Sequence, residues 1–249
     1  MKKNQCAHQS HLPKYQLPCS FISSGQYLRH LVDLQIKQKY NKVSQKVKQR
    51  AEYELTLIEE KGWSDYFLIL WDIINFVKSQ KRIVGPGRGS APGSLVNYLL
   101  GIINVNPLVY DLYFERFVLA DHIKLPDIDT NFSIQGRKLA LEYVEKIFGK
   151  DHTSPIMTLG VIKPEAFIQE ISNLLDLSEK EKAQLIRMIP LNSRNFDLAL
   201  NQNEHLRNIL SKNNELKKAL KNVTKLNYLT HTVGKHGSAI LISPEKISE

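Results

Sequence analysis

The stretch RIVGPGRGSAPGS, residues 82–94, decides how this sequence is interpreted. It packs four glycines, two prolines and two serines around Arg88, and it lies between the apolar runs YFLILWDIINFV and SLVNYLLGI. Backbone N–H groups of a glycine-rich turn that enters a helix can bind phosphate, because no Cβ atoms block a close approach. The stretch has neither the GK[ST] ending of a Walker loop nor the spacing of a dinucleotide fingerprint. It predicts a sharp turn, and an anion site if the rest of the chain supplies matching groups.

The composition is that of a globular protein with a basic surface. The 249 residues are 42% hydrophobic and 24% charged. No apolar run reaches the roughly 18 residues of a membrane span, and no apolar block follows the first lysines as in a secretory signal. With two cysteines, Cys6 and Cys19, a cytoplasmic location is expected. The net charge of +9 suits a polyanion such as nucleic acid, although a solvated basic surface explains it equally well.

Hydrophobic periodicity predicts a mixed α/β protein. Apolar residues recur with helical spacing in several segments, and we expect helices over 25–40, 44–63, 64–80, 94–102 and 136–149. The segment KLPDIDTNFSI, residues 124–134, alternates as a strand does, and shorter strands are expected over 154–162 and 237–243. Residues 164–227 are polar with a helical pattern.

The expected strand at 124–134 carries two acids. Successive side chains of a strand point to opposite faces, so Asp127 and Asp129 should share one face while Ile128 and Phe132 pack inward. Two carboxylates this close repel each other unless a cation compensates them, and Mg²⁺ binds one or two carboxylates together with substrate phosphates. A polar edge strand whose acids meet solvent or lysines is the alternative. A phosphate-binding turn and a metal-binding acid pair in one domain together indicate nucleotidyl or phosphoryl transfer.

Several blocks of the sequence resemble a known family. VGPGRGSAPGSLVNYLLGI, NPLVYDLYFERFV and LPDIDTNF are similar, in order and spacing, to the palm region of bacterial C-family replicative DNA polymerases, the DNA polymerase III alpha subunits. GKHGSAILISPEKI resembles a later block of the same family. The resemblance implies an α/β (α+β) fold: a nucleotidyltransferase-like polymerase palm with a mixed sheet, plus helical thumb and finger portions.

The resemblance also implies an activity and its residues. The family carries out template-directed deoxynucleotidyl transfer to a primer 3′ end, using two Mg²⁺ ions on palm aspartates. Asp127 and Asp129 would be the catalytic metal ligands. The triphosphate of the incoming nucleotide would be bound by Gly87, Arg88, Gly89, Ser90, Ser94 and Arg116. Lys235 and His236 would lie near the nucleotide or the DNA.

The same resemblance divides the chain into five parts. They are an irregular lead-in (1–24), a helical thumb-like part (25–80), a palm part with the glycine turn and acid strand (81–163), a helical start of the fingers (164–230) and a return to the palm (231–249). The helical pattern of 200–230 fits a solvated helix face equally well. Implied partners are primer–template DNA, deoxynucleoside triphosphates and other replication subunits, with no membrane.

The chain departs from the family pattern at several positions. Asn131 replaces the third acid of the PDxDxDF block, Asn104 and Asn106 replace aspartates, and Pro92 replaces a small residue. The family's third catalytic aspartate would lie on a strand beyond the last residues printed. We therefore expect the chain alone to be an incomplete polymerase that needs another chain to supply the missing palm strand. The alternative is a truncated, catalytically inactive relative that binds nucleotide or DNA.

Overall fold

The computed structural model describes residues 12–119, 124–161, 164–187, 196–212, 215–216, 218 and 230–247. The chain divides into two units, one made of Met1–Ser154 with Ile240–Glu249 and the other of Pro155–Ala239. Of the predicted parts, residues 1–11 of the lead-in and most of the end of the 164–230 segment lie outside the described residues. The predicted five-part division stays a prediction.

Four of the five helices described in the first unit begin after a capping serine. The helices of this unit are α1 (Ser24–Lys39), α2 (Gln45–Glu60), α3 (Ser64–Ser79), α4 (Leu95–Leu99) and α5 (Ile134–Phe148). The hydroxyls of Ser23, Ser44 and Ser133 accept hydrogen bonds from N–H groups in the first turns of α1, α2 and α5. The five helices predicted for this region are confirmed, although α4 is only five residues long.

α3 is the central helix of the first unit. Its almost continuous apolar run buries Phe67, Leu68 and Ile74, as its composition predicts. α1 and α5 both pack against it. The hydrophobic core extends from there through α2 and α4 to Phe114 and Ile128. This core holds the glycine stretch and the acid segment against one scaffold.

The acid segment is extended but does not form the predicted strand. Its only backbone pairing among the described residues is one isolated antiparallel bridge between Val84 and Phe132. The burial alternates as expected, with Ile128 buried, Phe132 packed against the core, and Asp127 exposed. The side-chain pattern was therefore correct and the strand prediction was wrong. A ladder needs a neighbouring strand along its length, and in the described part of the chain only Val84 and Gly85 supply one.

The sheet of the described residues has two strands, β1 (Thr153–Val161) and β2 (Thr230–Ile242). Gly160 lies opposite Thr232 and Gly234 lies opposite Thr158, which is an antiparallel register. β1 and β2 confirm the two short strands expected from the sequence, with β2 extending further towards the N-terminus than predicted. The observed class is mixed helical with a small sheet, which is compatible with α/β.

Among its described residues, the second unit contains four helices with defined bounds, as the helical pattern of residues 164–227 predicts. They are α6 (Pro164–Leu174), α7 (Glu179–Arg187), α8 (Phe196–Gln202) and α9 (Glu204–Lys212). A separate small core joins them, centred on Ile171, Leu185, Leu206 and Leu210. No helix in the described ranges has the length and apolar character to cross a membrane.

Candidate active site

The glycine stretch runs directly beside the acid segment. The N–H of Gly85 donates to the carbonyl oxygen of Asn131 at 2.7 Å, next to the bridge between Val84 and Phe132. A Cβ atom on Gly85 would lie 2.7 Å from the Cβ of Asn131. Only glycine therefore permits this approach, and the sequence places it there. The two features that the sequence singled out separately are in backbone contact.

Gly87 and Gly89 give the turn its shape. Both have positive φ angles, 102° and 65°, which residues other than glycine rarely adopt. A Cβ on Gly87 would lie 2.5 Å from the Cγ2 of Ile103, whereas nothing lies within 4 Å of one on Gly89. Gly87 is thus packed against the core, and Gly89 faces open space. This open backbone beside Ser90 is where an anion could approach the turn.

Arg88 connects the turn to the acids. Its Nη2 lies 3.2 Å from Oδ1 of Asp129, and both side chains are about half exposed. Asp127 is exposed in the same segment. The structure therefore brings the turn residues Gly87, Arg88 and Gly89 to the segment that carries Asp127 and Asp129, with the guanidinium at the Asp129 carboxylate.

Ser94 caps α4 and is also bonded to a buried carboxylate. Its side chain is fully buried; its hydroxyl donates to Oε2 of Glu54 at 2.8 Å and accepts from the N–H of Asn97. Two further N–H groups at the start of α4, those of Leu95 and Val96, donate to the same carboxylate at 2.9 Å. The start of α4 is therefore already occupied by Glu54. A phosphate at this helix N-terminus would have to compete with the Glu54 carboxylate, and the predicted role of Ser94 stays a prediction.

Glu54 is itself held by Arg50. The Arg50 Nε lies 2.6 Å from Oε1 of Glu54, and its Nη2 donates to the carbonyl oxygens of Gly93 and Leu112. Burial raises the pKa of Glu54, and the N–H donors of Val96 and Leu95 and the Arg50 guanidinium oppose that shift. This network fixes the end of the glycine stretch against the loop that leads to Arg116.

Tyr66 positions the acid segment and was missed in the sequence. Its hydroxyl donates to the carbonyl oxygen of Pro126 at 2.9 Å. Burial raises the pKa of Tyr66 to about 12, with the negative charges of Asp127 and Asp129 adding to the shift. The carboxylates are thus close enough to Tyr66 to affect its ionisation. The only signal in the sequence was a hydroxyl-bearing residue at the start of an otherwise apolar helix.

The remaining candidates are less directly placed. Arg116 is exposed at the end of a short 3₁₀ turn, Phe114–Arg116, and Ser90 is partly exposed in the glycine stretch. Lys235 and His236 are exposed on β2, in the second unit. The Nδ1 atom of His236 accepts from the N–H groups of Ser238 and Ala239, which fixes the ring locally. The roles of these residues stay predictions.

The acids form a pair and not a larger cluster. Within the described ranges, no group of three or more His, Cys, Asp or Glu side chains is placed to hold a metal ion. Asn131 supplies no third carboxylate beside Asp127 and Asp129. The arrangement can therefore offer a cation two carboxylates, with further ligands coming from substrate or water.

Comparison with known proteins identifies the family. The family model described as the bacterial DNA polymerase III alpha NTPase domain matches residues 26–249. The chain belongs to this family. The resemblance noted from the sequence blocks is confirmed, and the family's named members are DNA polymerase III alpha subunits.

Individual relatives match along most of the chain but exceed it in length. A DNA polymerase III subunit alpha from Borreliella burgdorferi is 41% identical over 179 residues, covering 72% of this chain and 16% of the relative. Those from Halalkalibacterium halodurans and Bacillus subtilis are 36% and 31% identical over 96% and 97% of this chain. The chain spans 21% and 22% of the length of these two relatives.

Proposed function

We propose that this chain forms part of the core of a DNA polymerase III alpha subunit and binds Mg²⁺, a deoxynucleoside triphosphate and primer–template DNA. The reaction it serves is template-directed deoxynucleotidyl transfer in DNA replication. The observation that carries the proposal is the contact between Arg88 and Asp129, which joins the glycine turn to the acid segment. The finer fold assignment, a nucleotidyltransferase-like palm with thumb and finger portions, is part of this proposal.

The donor set of the acid segment fits Mg²⁺. Asp127 and Asp129 offer hard carboxylate oxygens at the surface, and Mg²⁺ is commonly bound by one or two carboxylates with substrate phosphates and water. When bound, the ions would stabilise the negative charge that develops during phosphoryl transfer. Tyr66 holds the backbone of this segment at Pro126 and so keeps the carboxylates in place.

The phosphates would be bound by the turn itself and not by α4. Gly89 leaves the backbone of the turn open, and Ser90 adds a hydroxyl. Arg88 supplies a guanidinium, which can donate two parallel hydrogen bonds to phosphate oxygens. Ser94 is omitted from this set because its hydroxyl is buried and bonded to Glu54. Arg116, Lys235 and His236 are proposed as further contacts to nucleotide or DNA, on the family resemblance alone.

Arg88 would exchange partners when substrate binds. Without ligand it neutralises Asp129; with Mg²⁺ on Asp129, the guanidinium is free to contact a phosphate. The Arg88→Ala variant should consequently bind Mg²⁺ alone more tightly than the native chain and bind the Mg²⁺–triphosphate complex more weakly. Isothermal calorimetry in the two conditions measures both effects. A parallel loss of both affinities would contradict the exchange.

Calorimetry with a deoxynucleoside triphosphate and Mg²⁺ tests the proposed site. Asp127→Asn and Asp129→Asn should each weaken Mg²⁺-dependent binding by about tenfold or more, because one charged ligand contact is lost. Asp33→Asn removes the same charge from an exposed position on α1 and serves as the control. Equal affinities for the two acid variants and the control would refute the site.

The second candidate is a relative that binds nucleotide or DNA without transfer. Asn131 in place of a third acid favours it, because an amide cannot supply the charge that a carboxylate gives to a metal site. Primer extension in the presence of a complementing polymerase fragment distinguishes the two. We expect none from the chain alone; Mg²⁺-dependent extension that is lost in Asp129→Ala would refute that expectation. Extension restored by a complementing polymerase fragment would support the first candidate, a polymerase core that another chain completes.

A further inference from the structure

A cavity that the acid segment does not line lies where the chain segment around Tyr15 crosses α3 and the end of α5. Its volume is about 320 Å³, room for roughly one large side chain. All of it belongs to the first unit. The residues that line it are Lys14, Tyr15, Gln16, Ile69, Asp72, Ile73, Tyr143, Ile147 and Phe148. No step of the proposed nucleotide chemistry uses these residues.

A half-buried carboxylate is the one acidic group in the cavity wall. Asp72 lies on α3, and its Oδ2 accepts a hydrogen bond of 3.0 Å from the hydroxyl of Tyr143. No Lys, Arg or His side chain in the described ranges forms an ion pair with Asp72. The nearby ammonium of Lys14 bonds instead to the buried Asp65, at 3.2 Å. Burial raises the pKa of Asp72, as expected for a carboxylate without a compensating cation.

Aromatic and helix-end groups add to the negative character of the cavity. The Tyr143 ring stacks on Phe76 with centroids 3.8 Å apart, so it is held flat in the wall. Tyr15 forms another part of the wall and stacks on Tyr27. Ile147 and Phe148 are the last two residues of α5, so the negative end of its helix dipole lies at the cavity. Ring faces, a helix C-terminus and a carboxylate each favour a cation.

We propose that this cavity binds the guanidinium group of an arginine side chain from another protein chain. A guanidinium is planar, so it can lie along the tyrosine rings while two of its N–H groups reach Asp72. An ammonium is compact and strongly hydrated and gains less from flat walls. The apolar stem of arginine would contact Ile69, Ile73 and Ile147, which a free guanidine could not do.

The assignment is tested by NMR titration of the whole ¹⁵N-labelled chain with N-acetyl-arginine methylamide. We expect saturable shifts at the amides of Tyr15, Asp72 and Tyr143. Asp72→Asn should weaken binding by about tenfold or more, because the charged acceptor is lost. Asp151→Asn, which removes an exposed charge elsewhere in the first unit, should bind like the native chain. Equal binding by the two variants, or no saturable shifts, would overturn the proposal.

Two further ligands separate the possible sources of the cation. N-acetyl-lysine methylamide should bind several-fold more weakly than the arginine derivative, and equal affinity would overturn the guanidinium assignment. Methylguanidinium keeps the charged group without the stem and should also bind more weakly. If it bound as tightly as the arginine derivative, the cavity would be assigned to a free guanidine and the arginine proposal would fail.

A second variant keeps the test valid if Asp72→Asn is destabilised. Ile147 is partly exposed at the cavity wall, so Ile147→Trp should fill the cavity while leaving the carboxylate intact. Arginine binding should be lost in this variant, and unchanged binding would overturn the proposal. Both variants should bind Mg²⁺–deoxynucleoside triphosphate like the native chain. This comparison separates failure of the cavity proposal from failure of the proposed function.

Discussion

Glu54 is a single buried carboxylate that holds three segments of the first unit together. It lies on α2, accepts hydrogen bonds from the start of α4 and from Ser94, and is paired with Arg50, whose other contacts reach Gly93 and Leu112. The α4 helix is too short to be stable alone, so its position after the glycine stretch depends on this contact. The shape of the candidate site therefore rests partly on a residue that does not touch it.

Replacing Glu54 should destabilise the chain strongly. In Glu54→Ala the Arg50 charge and two N–H groups of α4 lose their acceptor, and breaking a buried ion pair costs about 3–5 kcal/mol. Glu60→Ala removes an exposed glutamate from the same helix and should change stability by less than about 0.5 kcal/mol. Urea unfolding followed by circular dichroism measures both. Similar midpoints for the two variants would contradict the network.

Gly87 and Gly62 provide a matched pair for the glycine turn. Both have positive φ, so alanine strains the backbone at each by about 1–2 kcal/mol. At Gly87 the new Cβ would also collide with Ile103, whereas at Gly62 nothing lies within 4 Å. Gly87→Ala should therefore cost clearly more unfolding free energy than Gly62→Ala. Equal costs in urea unfolding would show that Ile103 moves aside freely.

The sequence identified residues by chemistry and missed those that act by position. Arg88, Asp127 and Asp129 carry charges in an unusual local setting, so they could be found without a structure. Glu54 occupies one of many charged positions in an amphipathic helix, and its partners Ser94 and Val96 lie about 40 residues further along the chain. Nothing local distinguishes it from a solvated glutamate. Contacts of this range depend on the fold and not on a sequence motif.

At the scale of elements, two lysines hold the end of α4. Lys39 of α1 donates to the carbonyl oxygen of Tyr98 and lies 4.1 Å from the centre of its ring. Lys78 of α3 donates to the carbonyl oxygen of Gly101 at 2.5 Å. Cations at a helix C-terminus satisfy its free carbonyls and its dipole. With Glu54 at its start, the short helix α4 is fixed at both ends by neighbouring helices.

Lys39 should make stability rise with pH. Burial, together with the nearby Lys78 charge, lowers the pKa of Lys39 to about 8, against about 10.4 for an unfolded lysine. Between these values the unfolded chain binds more protons, so the unfolding free energy increases with pH. The stability of the native chain relative to Lys39→Met should therefore rise between about pH 8 and 10. Urea unfolding at several pH values measures this difference.

A neighbouring lysine on α1 provides the control. Lys37→Met removes an equal charge from the same helix without removing a contact to the Tyr98 carbonyl or ring. The pH-dependent change should be larger for the Lys39 variant than for the Lys37 variant. If the unfolding free energy of the native chain relative to Lys39→Met fell with pH, it would contradict the lowered pKa of Lys39.

The acid segment shows what periodicity can and cannot predict for an element. The alternation of Ile128 and Phe132 with Asp127 and Asp129 gave the correct buried and exposed faces, because that pattern follows from an extended backbone. Whether an extended segment becomes a strand depends on its neighbours, and here one bridge to Val84 is the pairing seen among the described residues. Pairing is a property of two segments, which one pattern does not contain.

At the scale of the whole molecule, the two units have separate hydrophobic cores. The buried members of the larger core fall between Leu28 and Ala140, and the segment around Tyr15 packs on it. The smaller core is made of residues between Ile171 and Leu216. Helix periodicity predicted the helices of both. It did not predict the boundary, because the amphipathic pattern continues with similar strength on both sides of β1.

This division predicts that residues 1–149 fold without the second unit. They contain the whole larger core, including α5, whose Tyr143 stacks on Phe76 of α3. Cooperative urea unfolding is expected, and Leu28→Ala in this fragment should cost about 2–5 kcal/mol because Leu28 is fully buried. A fragment of residues 1–132, which lacks α5, leaves the contact face of α3 open and should unfold at clearly lower urea concentration. If residues 1–149 showed no cooperative transition, the larger core would require contacts from the rest of the chain. The two cores would then not unfold independently of each other.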